Sequence, residues 1–148
     1  MNKIIKIGII VLIIGAGFLR YFYYLDIKNH CYVIIKPSFL ELSSQNIKQA
    51  IKVLKYAAPE EYKNFCGHVK AINPNFACGG FGGGCYYGAN VAGKEIDVST
   101  ANNGYLGWTA AVVAHETCHA IQAQEKRDLN EPECYALGNE VLKKVIDY

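Results

Sequence analysis

The chain carries little net charge: 15 Lys and Arg stand against 13 Asp and Glu, a formal +2 at pH 7 over 148 residues. No basic patch with interleaved aromatics occurs, so no nucleic-acid surface is read from it. The 6 cysteines include no C-x-x-C pair, and neither a zinc ribbon nor a thioredoxin-type motif is indicated. The glycine-dominated run Cys78-Gly-Gly-Phe-Gly-Gly-Gly-Cys85 is not followed by Gly-Lys-Ser/Thr and opens no helix, so it is no phosphate loop. It reads as a substrate rim or a plain connector, and a disulfide between its ends would limit its disorder. Proline and glycine are missing from Thr109 to Lys126, and charge is nearly absent between Trp108 and Gln124 except at Glu116.

That last stretch is where chemistry is concentrated. It contains His115-Glu116-x-x-His119, and residues four apart on a helix lie one turn above each other on one face. Two imidazoles can therefore meet one metal ion. Glu116 is rotated about 100° from His115, which places it beside the ion as a base for a bound water. This is the H-E-x-x-H arrangement of zinc metallopeptidases. Thr109 is the expected N-cap, and Ala110 to Ala114 are strong or apolar helix residues.

A zinc ion held by two histidines needs a third protein ligand, with the fourth position left for water. Glu133 is the candidate, because Glu131-Pro-Glu133 opens the last helix and a simple chain reversal returns it to the metal. Glu131 is the fallback. Alternatively Glu133 only caps its helix, as the acidic member of Asn130-x-x-Glu133.

At the N-terminus, Lys3 and Lys6 precede the uncharged run Ile7 to Leu19, followed by Arg20 and the aromatic run Tyr21 to Tyr24. Residues 1–25 are read as a signal anchor, the aromatics forming an interfacial belt; a cleaved signal peptide with small residues at Gly15-Ala16-Gly17 is the other reading. Either sends residues 26–148, the single folded domain, across the membrane. An even cysteine number then suggests disulfides. Cys118 and Cys134 could bridge if both helices face one metal. Cys66, Cys78 and Cys85 supply a second bridge, with Cys31 a further partner. Buried free thiols are the alternative.

Between these parts, Tyr32 to Ile35 reads as a strand, Ile47, Ala50, Ile51, Leu54 and Ala57 as the buried stripe of a helix, and Pro59 as the start of a shorter one. Val69 to Ile72 is a further short strand and Asn73-Pro74-Asn75 a turn. Residues 85–100 read as a hairpin turning near Asn90 to Gly93. Its second strand, Glu95 to Ser99, is expected to show Glu95 and Asp97 to solvent and to lie beside a cleft, where an extended peptide could pair with it. His30 and His68 are not expected to be ligands.

His115-Glu116-x-x-His119 followed by Glu133-x-x-Ala136 resembles the gluzincin group of zinc metallopeptidases. The resemblance covers roughly Tyr87 to Leu142. It implies an α+β fold of zincin-like type, with a short antiparallel or mixed sheet packed on the H-E-x-x-H helix and a following ligand helix. It also implies Zn2+ on His115, His119 and Glu133, Glu116 as catalytic base, and a peptide or protein substrate. Many relatives carry an acid four residues after the ligand Glu, supporting a ligand histidine; here that position is Leu137, so Asn139 or Glu140 would have to serve. Tyr86, Tyr87, Tyr105 and Tyr135 are the donors considered for the oxyanion. The competing expectations are a non-catalytic zinc- and disulfide-stabilised extracytoplasmic binding domain, and a metal-free disulfide-stabilised module in which the motif is accidental.

Overall fold

The computed structural model describes residues 3–37, 44–75, 78, 84–85, 94–99 and 105–147. The architecture is α+β. The chain runs α1 (Lys3–Phe22), β1 (Tyr23–Asp26), a single 3-10 turn (Ile27–Asn29), β2 (Cys31–Ile35), α2 (Ser44–Ala57), α3 (Pro59–His68), β3 (Ala71–Pro74), β4 (Gly84–Cys85), β5 (Glu95–Val98), α4 (Leu106–Gln124) and α5 (Glu131–Ile146). One mixed sheet has the order β1-β2-β3-β5-β4, with β2, β3 and β5 parallel and an antiparallel strand at each edge.

Local patterns account for most of this. On β2, Cys31, Val33 and Ile35 are buried while Tyr32 and Ile34 are exposed, the period-two alternation of a strand with one covered face. On α2 the stripe Ile47, Ala50, Ile51 and Leu54 is fully buried in the same core as Phe65, Ile72, Ile96 and Val98. α4 is apolar on nearly every side, because it contacts α2, α3, α5 and β5 and lies at the centre of the domain.

Three sequence expectations change. The N-terminal apolar helix stops at Phe22, and Tyr23–Asp26, of which Tyr23 to Leu25 were read from sequence as the end of the anchor segment, form an edge strand of the sheet. Tyr24 is buried and its hydroxyl lies 3.1 Å from that of Tyr62. The expected turn at Asn73-Pro74-Asn75 is instead the end of β3, where the side-chain amides of Asn73 and Asn75 donate to Asp97 at 3.1 and 3.0 Å.

The third concerns β5, which lies inside the sheet between β3 and β4 rather than at a cleft edge. Its wet face is absent: Glu95 and Asp97 are both buried, Glu95 pairing with Lys36 at 2.5 Å. Alternation alone signals which residues share a face, and the elements packed above decide whether that face meets water. Its antiparallel pairing with β4 matches a hairpin, while the turn near Asn90 to Gly93 lies outside the described residues.

Cys31–Cys66 ties β2 to α3, and Cys118–Cys134 ties α4 to α5, the bridge expected if both helices face one site. Cys78 is also disulfide-bonded, so no described cysteine is a free thiol. The glycine run itself, residues 79–83, which a disulfide between its ends was expected to restrain, lies outside the described residues.

Candidate metal centre

α4 holds His115 and His119 one turn apart, and their Nε2 atoms are 3.2 Å from each other. The chain then reverses tightly. The Arg127 N–H reaches the Gln122 carbonyl at 2.9 Å and the Lys126 N–H reaches that of Ala123 at 3.1 Å, with Lys126 in the left-handed conformation at φ 58°. This helix-ending motif turns the chain back on itself, and Asn130 caps α5 by accepting the Glu133 N–H at 3.2 Å. Glu131 is the first residue of α5, and the reversal carries it to the two imidazoles.

Its two carboxylate oxygens lie 3.5 Å from His115 Nε2 and 3.3 Å from His119 Nε2. The three side chains form a group whose donor atoms all fall within 4.8 Å of one another. A tetrahedral ion about 2.0–2.1 Å from each donor sets donors roughly 3.3–3.4 Å apart. The 3.2 Å between the two imidazole nitrogens lies close to that spacing; each Glu131 oxygen reaches a different imidazole, so a small rotation of this exposed carboxylate would bring one oxygen to both. Both imidazoles are buried, whereas the Glu131 side chain is 57% exposed, so the site opens to solvent on the α5 side.

Glu133, the ligand expected from spacing, points elsewhere. Its carboxylate accepts from both terminal nitrogens of Arg127, at 3.0 and 3.3 Å, and from the Gln122 side chain at 3.0 Å. The fallback Glu131 takes its place beside the histidines. The capping alternative for Glu133 holds in half: its backbone is capped by Asn130, but the Asn130 N–H is taken by Gln122 Oε1 at 3.0 Å rather than by the Glu133 carboxylate.

Gln122 is the residue that sequence reasoning missed. It is fully buried, and its carbonyl oxygen lies 3.1 Å from His119 Nδ1. Only Nδ1–H can donate to a carbonyl, so this contact favours the tautomer with the proton on Nδ1, the nitrogen turned away from Glu131. The Gln122 amide donates to Glu133 and to the Asn130 carbonyl. The supporting role that Leu137 cannot fill thus falls to α4 itself. Neither Asn139 nor Glu140 is recruited: both are exposed, and Glu140 pairs with Lys144 at 2.8 Å. The signal available in sequence was the i+3 spacing of Gln122 from His119.

Glu116 is 2% exposed, and its Oε1 lies 3.9 Å from His115 Nε2. Burial, with the negative charges of Glu131 and Asp97 adding to it, pushes its carboxyl up to about 8. His115 binds a proton less readily than usual, chiefly through burial and then through His119 beside it. A buried neutral imidazole presents a lone pair rather than a charge, as metal ligation requires. Tyr135, one turn after Glu131, packs its ring against His115 with centroids 4.8 Å apart. Tyr105 covers Gly107 at the far end of α4, about 12 Å along the axis from His115. Tyr86 and Tyr87 lie outside the described residues. His68 packs against Gln124 at 3.1 Å and the exposed His30 closes the 3-10 turn, so neither joins the site.

Searches against family models, curated proteins and solved structures return no match to the chain.

Proposed function

We propose that His115, His119 and Glu131 hold a Zn2+ ion and that the chain is a zinc-dependent peptidase of zincin-like fold. The observation that carries this reading is the convergence of His115, His119 and Glu131, whose donor atoms lie within 4.8 Å of one another, with the carboxyl of Glu116 buried alongside them. When bound there, the ion supplies Lewis acidity toward a water and a peptide carbonyl. The residues of the chain do the rest. Glu116 takes the proton of the attacking water and returns it to the leaving amine. Gln122 fixes the tautomer of His119. Tyr135, whose ring packs against His115, is the described tyrosine in contact with the site and the one this reading assigns as oxyanion donor. Glu131 replaces Glu133 in this ligand set, so the Glu133-x-x-Ala136 part of the gluzincin resemblance does not supply the ligand.

The substrate side is extracytoplasmic. α1 contains an 18-residue apolar window, Ile5–Phe22, exposed along its length and long enough by composition to cross a membrane. Disulfides such as Cys31–Cys66 and Cys118–Cys134 persist in oxidising compartments. Direct continuation of α1 into β1 favours a retained anchor over a cleaved signal.

The test is Glu116→Gln in the full-length protein. Metal analysis is expected to find about one zinc per chain in this variant as in wild type, since no ligand is touched, while peptide hydrolysis disappears. Undiminished hydrolysis would remove Glu116 from its role. The burial of both imidazoles and of Glu116 favours a second reading, a zinc-stabilised binding domain without activity. Bound zinc with no cleavage across a broad peptide library would establish that one.

A further inference from the structure

Away from the residues of the metal centre, α1, α2 and β1 line an open cleft of about 560 Å³. Arg20, Lys48 and Lys52 line it together with Leu19, Tyr23 and Leu25, and no acidic residue is among the described residues of its wall. Lys48 is buried and donates to the backbone carbonyls of Arg20 and Tyr21, the latter at 2.7 Å. It thereby caps the end of α1 with a cation, where the helix dipole favours one. Burial, and then the neighbouring charges of Arg20 and Lys52, make Lys48 easier to deprotonate than usual. The three cations therefore crowd one another, with no acidic partner in the wall.

The surroundings are apolar. Leu19 and the helix above it are exposed along the membrane-length window. In the β1–β2 register Tyr23 faces Ile34 and Leu25 faces Tyr32, so these side chains share one face of the hairpin. Leu25, Tyr32 and Ile34 are exposed on that face, and Ile27 is exposed in the turn beyond it. No linker separates this hairpin from α1, because β1 starts at the residue after the helix ends. A helix seated in a bilayer therefore brings the hairpin face and the basic cleft to the headgroup level.

We propose that this cleft binds the headgroup of an anionic phospholipid in the leaflet from which α1 emerges, with the outer face of the β1–β2 hairpin lying in the interface. The basic side chains take the phosphate, and Leu19 with the flank of α1 takes the first part of the acyl chain. A free phosphate offers nothing to the apolar wall, so an amphipathic anion fits the cleft better. The proposal rests on α1 being a retained membrane helix and is independent of the metal centre.

Native mass spectrometry of the full-length protein, released from detergent with added phosphatidylglycerol or phosphatidylcholine, tests it. The expected result is a one-to-one adduct with phosphatidylglycerol and little with phosphatidylcholine. Each basic residue near an anionic surface contributes about fivefold, so Arg20→Gln/Lys52→Gln should lower adduct formation by roughly 25-fold. Lys52→Glu, at an exposed position of α2, should move it the same way by itself. Equal adducts for the two lipids, undiminished binding in the variants, or displacement by millimolar inorganic phosphate each overturn the proposal. The same spectrum weighs the chain. A mass lacking α1 overturns the anchor and the cleft together, whereas an intact mass without lipid preference overturns the cleft alone.

Discussion

The Gln122 side-chain oxygen lies 3.1 Å from His119 Nδ1 and accepts the Asn130 N–H at 3.0 Å. One buried amide thus orients the His119 imidazole and holds the turn that delivers Glu131. Gln122→Met keeps the volume and removes these bonds. Each buried group left unpaired should cost about 1–3 kcal/mol in urea unfolding, and metal affinity should fall by about 10–100-fold. Chelator competition that reads wild-type affinity in this variant would reduce Gln122 to a packing role.

Glu131 and Glu133 give opposite expectations. Glu131→Ala removes the carboxylate that faces both imidazoles. Glu133→Ala removes a partner of Arg127 and Gln122. The second should therefore cost no more than the about 10–100-fold typical of an outer partner, and the first should cost more. Metal content of the two purified variants, measured side by side, decides; the reverse order would restore Glu133 as the ligand.

Asp26 gives the domain an acid limit. Burial pushes its carboxyl up, but hydrogen bonds from Lys55, Asn29 and Tyr62 outweigh this and hold it well below the ordinary 3.8. A depressed folded-state value means that the stabilisation is complete above the unfolded value and is lost as pH falls toward the folded one. Urea midpoints measured from about pH 6 down to about pH 2 should drop below roughly pH 4 in wild type, with that drop reduced in Asp26→Asn. An unchanged acid limb would assign it to other carboxylates.

The two described disulfides should differ in weight. Cys118–Cys134 closes a separation of 16 residues and Cys31–Cys66 one of 35. Loop-closure entropy assigns them about 3 and about 4 kcal/mol respectively. Loss of Cys118–Cys134 should also lower zinc affinity, since it holds α5 against α4 beside His119, with Cys134 Sγ 3.5 Å from Nδ1. Paired Cys→Ala variants, compared by thermal unfolding and zinc competition, separate the two effects; zinc affinity untouched by Cys118→Ala/Cys134→Ala would uncouple the bridge from the site.

How much of this was legible follows from the range of each interaction. His115, Glu116 and His119 were readable because i, i+1 and i+4 relations on one helix are fixed by 3.6 residues per turn, whatever packs outside. The α2 stripe and the alternation in β2 were readable for the same local reason. The strand at Tyr23 and Tyr24 was not readable because aromatic residues suit both a membrane interface and a strand, and only pairing with β2 shows the strand.

The sequence by itself determined that two imidazoles and one carboxyl share a turn of helix and that an acidic first turn opens the next helix. Only the tertiary structure decided which acid faces them. Glu131 and Glu133 are two residues apart, so on α5 they point about 200° away from each other. The rotation of α5 against α4 selects between them, and that rotation is set by the turn at Lys126, the Gln122–Asn130 bonds and the Cys118–Cys134 bridge. In the same way, the packing around β5, which no period in its own residues encodes, turned Glu95 and Asp97 from an expected wet face into buried charges.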